Sequence, residues 1–328
     1  MKGWFKSLLS LSVALLLLYI FFRGTDLKAF WGYLKKARLV YLLGFALGLV
    51  FFYWLRGLRW RLLYDGEGVP GIREFFMANV VGFSVNYLLP GRLGEVARAI
   101  YISRKSEFPS SYSVATVVVE RFFDFFSIGV LLVFYLMSFP VRAARLKGNL
   151  SAIVWVSFLA TLLLVLGILF LTFLWRRGKL HRLEVLLRVF PAHLREKLKN
   201  SGRSFVQGLH FFSSPRRALY FTLLGFLVWL AVALQYWLGL KAFGIHRPFF
   251  QIIPFIGVLL VGVSIPTPGM AGGFEVASKF FIVEIWRYSP NKAVAATITL
   301  HVILLLVTLS LGALVGLKEG LKLRRQSQ

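Results

Sequence analysis

The chain has 328 residues, 58% of them hydrophobic and 16% charged, with a mean hydropathy of +0.73. Several uninterrupted apolar runs of about 20 residues exclude a soluble domain and mark an all-α polytopic membrane protein; their continuity excludes a transmembrane barrel. A net charge of +26 in such a chain points to loops held against anionic headgroups, not to nucleic acid, and the absence of cysteine excludes disulfides, thiol nucleophiles and Cys-based metal sites.

Lys2 and Lys6 border a first apolar run over 4–22, too long and without the small-residue cleavage pattern of a signal peptide, so it reads as an uncleaved first helix. Thr25 then caps a short amphipathic helix with Leu27, Phe30, Trp31 and Leu34 on one side. Full spans follow at about 39–56, 113–138, 150–175, 218–240 and 293–317. Two further apolar stretches, about 75–90 and 249–267, end at Pro-Gly breaks and read as re-entrant or broken helices. The loop 176–217 carries Leu183, Leu186, Leu187 and Phe190 at helical spacing among arginines, either along the headgroup plane or packed on the spans. The whole chain, 1–328, is then one transmembrane domain of six full spans and two broken ones.

Charge orients it. With the N-terminus inside, the inner segments 1–6, 56–112, 176–217 and 318–328 hold 25 of the 39 Lys and Arg residues, and the outer segments hold 12. The bias predicts N- and C-termini on the cytoplasmic side of the inner membrane.

The chain says nearly the same thing twice. Asn86-Tyr87-Leu88-Leu89-Pro90-Gly91-Arg92-Leu93-Gly94-Glu95-Val96-Ala97 returns, two residues longer, as Ser264-Ile265-Pro266-Thr267-Pro268-Gly269-Met270-Ala271-Gly272-Gly273-Phe274-Glu275-Val276-Ala277. The orientation makes the halves, about 39–138 and 218–317, inverted repeats. Broken segments at matching places in two halves point to a transport site near the midplane.

Four groups carry candidate chemistry. In the first break, Pro90 and Gly91 stop one helix and Arg92 to Arg98 start another, where free N–H groups and a guanidinium suit a phosphate; the alternative is a basic flank reaching the inner surface. Glu95 and Arg98 share a face three residues apart. In the span 113–138, Glu120, Arg121 and Asp124 place three charges within five positions, each costing roughly 2.5–3.5 kcal/mol at membrane depth unless partnered or wet. They read as a polar pathway or as a structural ion pair with Arg92 or Arg98. In the second break, Pro268 and Gly269 precede Glu275, which is expected to pair with Lys279, four residues on. His301 stands at the repeat position of Glu120; with Glu120 and Asp124 it makes a candidate proton relay. The five histidines are scattered and no phosphate-loop motif occurs, so no metal and no cofactor are expected.

These residues resemble the flippase-like membrane domain of lysylphosphatidylglycerol synthases. The resemblance rests on Arg56-Gly57-Leu58-Arg59-Trp60-Arg61-Leu62-Leu63, on Asn86 to Arg98, and on Pro266 to Glu275, where Met270 and Ala271 depart from the usual glycine-rich form. It implies movement of a lipid between leaflets; the soluble domain that aminoacylates phosphatidylglycerol in two-domain members has no counterpart in this sequence. The expected function is a lipid flippase for an anionic or aminoacylated headgroup of a phospholipid or polyprenyl phosphate. Arg92, Arg98 and Arg121 would neutralise phosphate, with Asn86, Glu95, Glu120, Asp124 and Glu275 around them. The rivals are a membrane transferase using Glu120 or Asp124 as base and a non-transporting partner of a lipid-modifying enzyme. A homo-oligomer is left open.

Overall fold

The computed structural model describes residues 2–89, 91–138, 159, 162, 167 and 214–326. Nearly all of the expected span 150–175 and of the 176–217 linker, and Pro90, lie outside the described residues. Ten α-helices and no strands occur among the described ones: α1 Lys2–Phe22, α2 Leu27–Lys35, α3 Leu39–Arg61, α4 Ile72–Leu88, α5 Gly94–Ser103, α6 Ser110–Ser138, α7 Pro215–Lys241, α8 Ile252–Gly262, α9 Gly273–Phe280 and α10 Pro290–Gln326.

α3, α7 and α10 are each long and apolar enough to cross a membrane, and α1 and α2 form a fourth apolar pair bent by 84°. α6 has 29 residues and is interrupted by Glu120, Arg121 and Asp124. The outward stripe of α3, Leu39, Val40, Leu43 and Leu47, is 56 to 71% exposed, and Val302, Leu306, Leu314 and Leu317 do the same on α10. Stripes of this kind belong in lipid and would drive aggregation in water. The chain is a multi-pass α-helical membrane protein.

Two elements differ in detail from the sequence expectation. α3 continues through Arg56 and Arg59 to Arg61 because those side chains are paired, not solvated. α2 is capped by Asp26 and not by Thr25: the Asp26 carboxylate accepts from Lys28 N–H at 2.8 Å and Ala29 N–H at 3.3 Å.

Each Pro-Gly break closes an α-hairpin. Leu89 is extended, as a residue before proline prefers, and Gly91 and Arg92 turn the chain through left-handed backbone at φ 83° and 57°. α5 then returns along α4. The second hairpin turns through Gly269, Met270 and Gly272, all at positive φ, and α9 returns along α8. Both pairs cross on glycine. A Cβ on Gly94 would stand 1.8 Å from the Gly82 carbonyl oxygen, and one on Gly273 would stand 2.2 Å from that of Gly262. Glycine–glycine contact lets these short helices pack closely enough to hide their backbone from lipid.

The main core joins α3, α4, α7, α8, α9 and α10 around Phe45, Tyr53, Tyr236, Phe255, Phe274 and Phe281. A second core around Trp60, Phe75, Val119, Phe123 and Phe221 holds α5 and α6 against the end of α3. The two breaks meet against the main core.

Candidate functional site

A cavity of about 230 Å³ lies where the breaks meet. The first break contributes Asn86, Tyr87, Leu89, Gly91, Arg92 and Glu95 to its wall, and the second contributes Ser264, Pro266, Thr267 and Met270. Arg56, Arg121, Asp124 and His301 complete the ionisable lining, and Phe52, Phe83, Trp229 and Leu259 are among the apolar residues that close it. Arg92 joins the hairpins directly: its guanidinium donates to the Val263 carbonyl at 3.0 Å, just past the end of α8. That carbonyl is one of the four that a helix end leaves without an intrahelical partner.

Beside the cavity, seven charged side chains form one network. Arg56 and Arg59, one turn apart on α3, face Glu120 and Asp124, one turn apart on α6. Arg56 reaches Glu120 at 2.7 Å and Asp124 at 3.2 Å; Arg59 reaches them at 2.9 and 2.6 Å. Arg98 of α5 bridges Glu120 at 2.6 Å and Glu95 at 2.7 Å, and also donates to Asn79 at 3.1 Å. Arg121 closes the ring, reaching Asp124 at 3.1 Å and bonding Glu95. The guanidinium planes are backed by aromatic faces: Arg98 over Trp60 at 4.7 Å, Arg59 over Phe221 at 5.4 Å and Arg56 over Phe52 at 5.6 Å. Among the described residues, four arginines thus meet three carboxylates, and Arg92 adds a second cation at the wall without an acid of its own.

A family model described as Lysylphosphatidylglycerol synthase TM region matches residues 7–312. The chain belongs to that family. Membership places it in membrane-lipid biology and accounts for the resemblance carried by the Arg-Trp stretch and the two breaks. A search of curated proteins and a search of solved structures each returned no significant match.

In this member of the synthase TM family, the expected site residues divide. Arg92, Arg121, Glu95, Asp124, Asn86, Gly91 and His301 line the cavity. Arg98 does not: it is 1% exposed and engaged with Glu95, Glu120 and Asn79, so it braces the site from behind the cavity wall. Glu120 is fully enclosed and also off the wall, with both oxygens accepting from guanidinium groups. Asn86 has a structural duty as well, its amide oxygen accepting from Gly94 N–H at 2.8 Å and so capping α5.

The second break differs more from expectation. Glu275 does not pair with Lys279. Its carboxylate accepts from Gly272 N–H at 2.7 Å and meets His301 Nδ1 at 2.5 Å. At 3% exposure it stands behind the cavity wall. Lys279 turns to the carbonyls of Phe21 and Arg23 at the end of α1, whose last carbonyls want donors. Pro268 begins a single 3-10 turn, and Gly269 gives its carbonyl to His301.

Sequence reasoning assigned no role to Arg56 and Arg59. The signal was present: two arginines three apart on α3 match two acids four apart on α6, and a buried acid pair demands such partners.

Proposed function

We propose that the chain carries an anionic lipid headgroup between leaflets, the headgroup passing through the cavity while the hydrocarbon chains stay in the bilayer. The observation that carries this reading is the surplus of cationic charge at the cavity wall: Arg121 and Arg92 face the space where the two hairpins meet, beside a network already one carboxylate short. Uncompensated charge at membrane depth calls for a counter-ion, and a phosphate answers both guanidinium groups. The size agrees. At 230 Å³ the cavity falls just below the ~300 Å³ at which pockets enclose whole drug-sized ligands, giving room for a headgroup but not for acyl or prenyl tails. The basic bias of segments 1–6, 56–112, 176–217 and 318–328 supports termini on the cytoplasmic face. A transferase using Glu120 as base is disfavoured, because that carboxylate has no path to a substrate.

Proteoliposomes containing the purified chain, with labelled phosphatidylglycerol or a labelled polyprenyl phosphate in one leaflet, test the proposal. The protein should equilibrate one of these probes faster than empty vesicles do. Arg92→Ala and Arg121→Ala should each slow exchange roughly tenfold or more, the worth of a lost charge-assisted hydrogen bond. Rates unchanged by both substitutions would remove the site.

A further inference from the structure

We infer that Glu275 and His301 bind one exchangeable proton between them, and that this proton crosses with the headgroup. The inference rests on the lipid-transport reading and deepens it by naming the coupling ion.

His301 Nε2 lies 3.0 Å from the Gly269 carbonyl oxygen, which only accepts, so that contact is a hydrogen bond only with hydrogen on Nε2. His301 Nδ1 lies 2.5 Å from Glu275 Oε1. The other Glu275 oxygen already accepts from Gly272 N–H. A neutral imidazole beside an ionised carboxylate has one ring hydrogen for two acceptors: on Nε2 it leaves two lone pairs facing one another at Nδ1, and on Nδ1 it leaves a lone pair against the Gly269 carbonyl, so both contacts are hydrogen bonds only with one further proton. A proton therefore occupies the contact, on the ring or on the acid. Either way the pair with its proton is neutral, the form that a buried site tolerates.

Loss of the proton leaves a net negative charge with no cation bonded to it among the described residues, the arginines of the cavity wall being held by other acceptors. Lys279, one turn along α9, is committed to the Phe21 and Arg23 carbonyls, and Arg92 to that of Val263. Across the cavity Arg56 and Arg121 are bonded to Asp124, Glu120 and Glu95, and the ionisable groups packed around the pair on α3, α4 and α7 are phenols. Tyr87 of α4 stands 6.0 Å from the His301 ring, Tyr53 of α3 bonds Thr308 on α10, and Tyr236 of α7 packs on Phe274; phenols stay neutral at physiological pH. α8 carries no acid or base, and α1 presents Ala14 and Leu17 to Gly272. Glu120 and Asp124, the other expected relay members, are poor carriers: all four of their oxygens accept from guanidinium groups.

The location ties this proton to the path of the headgroup. His301 is on the cavity wall, 8% exposed, and so meets whatever fills the cavity. Its other nitrogen holds Gly269, the left-handed residue at φ 61° on which the second break turns. Deprotonation would replace the shared hydrogen bond with repulsion and loosen that turn. A singly charged phosphodiester travelling with one proton moves no net charge across the membrane, sparing ~2.3 kcal/mol per 100 mV of opposing potential.

Two measurements test this. In the first, proteoliposomes with labelled phosphatidylglycerol in both leaflets carry a pH difference of one unit. One proton per headgroup predicts about a tenfold steady-state asymmetry of the label, with acidification of the lumen when lipid moves inward. Glu275→Gln, whose amide donates to Nδ1 as the protonated acid would, should equilibrate a probe added to one leaflet yet show no asymmetry. A wild type that equilibrates the probe but ignores the gradient overturns proton coupling and leaves lipid transport standing. A wild type that moves neither this probe nor a polyprenyl phosphate fails at the earlier reading. In the second, nitrogen NMR of the histidine rings in nanodiscs, with His301→Gln to assign the signal, needs no transport. A resonance with Nε2 protonated and a strongly hydrogen-bonded Nδ1, altered by Glu275→Gln, is expected. A bare Nδ1 indifferent to that substitution overturns the proton site itself.

Discussion

At the scale of single residues, position in the charge network separates bracing from binding. Arg59 is fully buried and meets both acids of α6, whereas the Arg121 side chain is 31% exposed at the cavity wall. Removing Arg59 takes one guanidinium from each acid and leaves a cavity, although Glu120 keeps Arg56 and Arg98 and Asp124 keeps Arg56 and Arg121. Arg59→Met should therefore lower the thermal unfolding midpoint in detergent far more than Arg121→Ala does. Pairing it with Glu120→Gln should deepen the loss, since that change also takes a partner from Arg56 and Arg98. Thermal melts of the four proteins check this; equal losses for Arg59→Met and Arg121→Ala would contradict the division. The Glu95–Arg98 contact was legible in the sequence because i,i+3 spacing on a helix fixes it. Glu275–His301 was not, because it joins α9 to α10 and its spacing carries no local signal. The same spacing logic led to the wrong partner for Glu275: Lys279 at i+4 found better acceptors at the end of α1.

At the scale of elements, hydropathy placed the cores of α1, α3, α4, α6, α7, α8 and α10, and the Pro-Gly pairs placed the breaks. Hydropathy missed the C-terminal turn of α3, because an arginine buried against carboxylates scores as if it were in solvent. The hairpins themselves depend on glycine contacts that no periodicity reveals. With a carbonyl oxygen 1.8 Å from where its Cβ would be, Gly94→Ala must push α5 off α4. The expected loss is at least the ~1–3 kcal/mol of an overpacked core, with a matching fall in lipid exchange as Glu95 and Arg98 shift. Gly273→Ala should behave likewise at the second hairpin. Gly316→Ala on α10 is the contrast: nothing lies within 4 Å of its Cβ position, and a helical Gly→Ala change gains about 1 kcal/mol. Unfolding midpoints of the three variants distinguish a contact effect from a general sensitivity to added methyl groups.

For the whole molecule, the two hairpins are the parts that must part company if a headgroup is to pass. In this structure they touch through Arg92 and the Val263 carbonyl, and a Cβ on Gly269 would lie 3.5 Å from the Tyr87 carbonyl oxygen. Each hairpin is rigid within itself, clamped by its glycine crossing, and each is bound to its own following span, by Arg98 to Glu120 in one half and by Glu275 to His301 in the other. Rigid halves that meet at a cavity favour movement of one against the other over local unfolding. The natural absence of cysteine makes this accessible to experiment. Leu89 and Ser264 line the cavity from opposite hairpins. Replacing both with cysteine and bridging them with a bifunctional thiosulfonate should stop lipid exchange, and reduction should restore it. Either single cysteine carrying a monofunctional reagent of the same bulk should retain most of its rate, which separates tethering from plugging. Exchange that continues at the original rate through the bridged pair would mean that the headgroup passes without any separation of the hairpins.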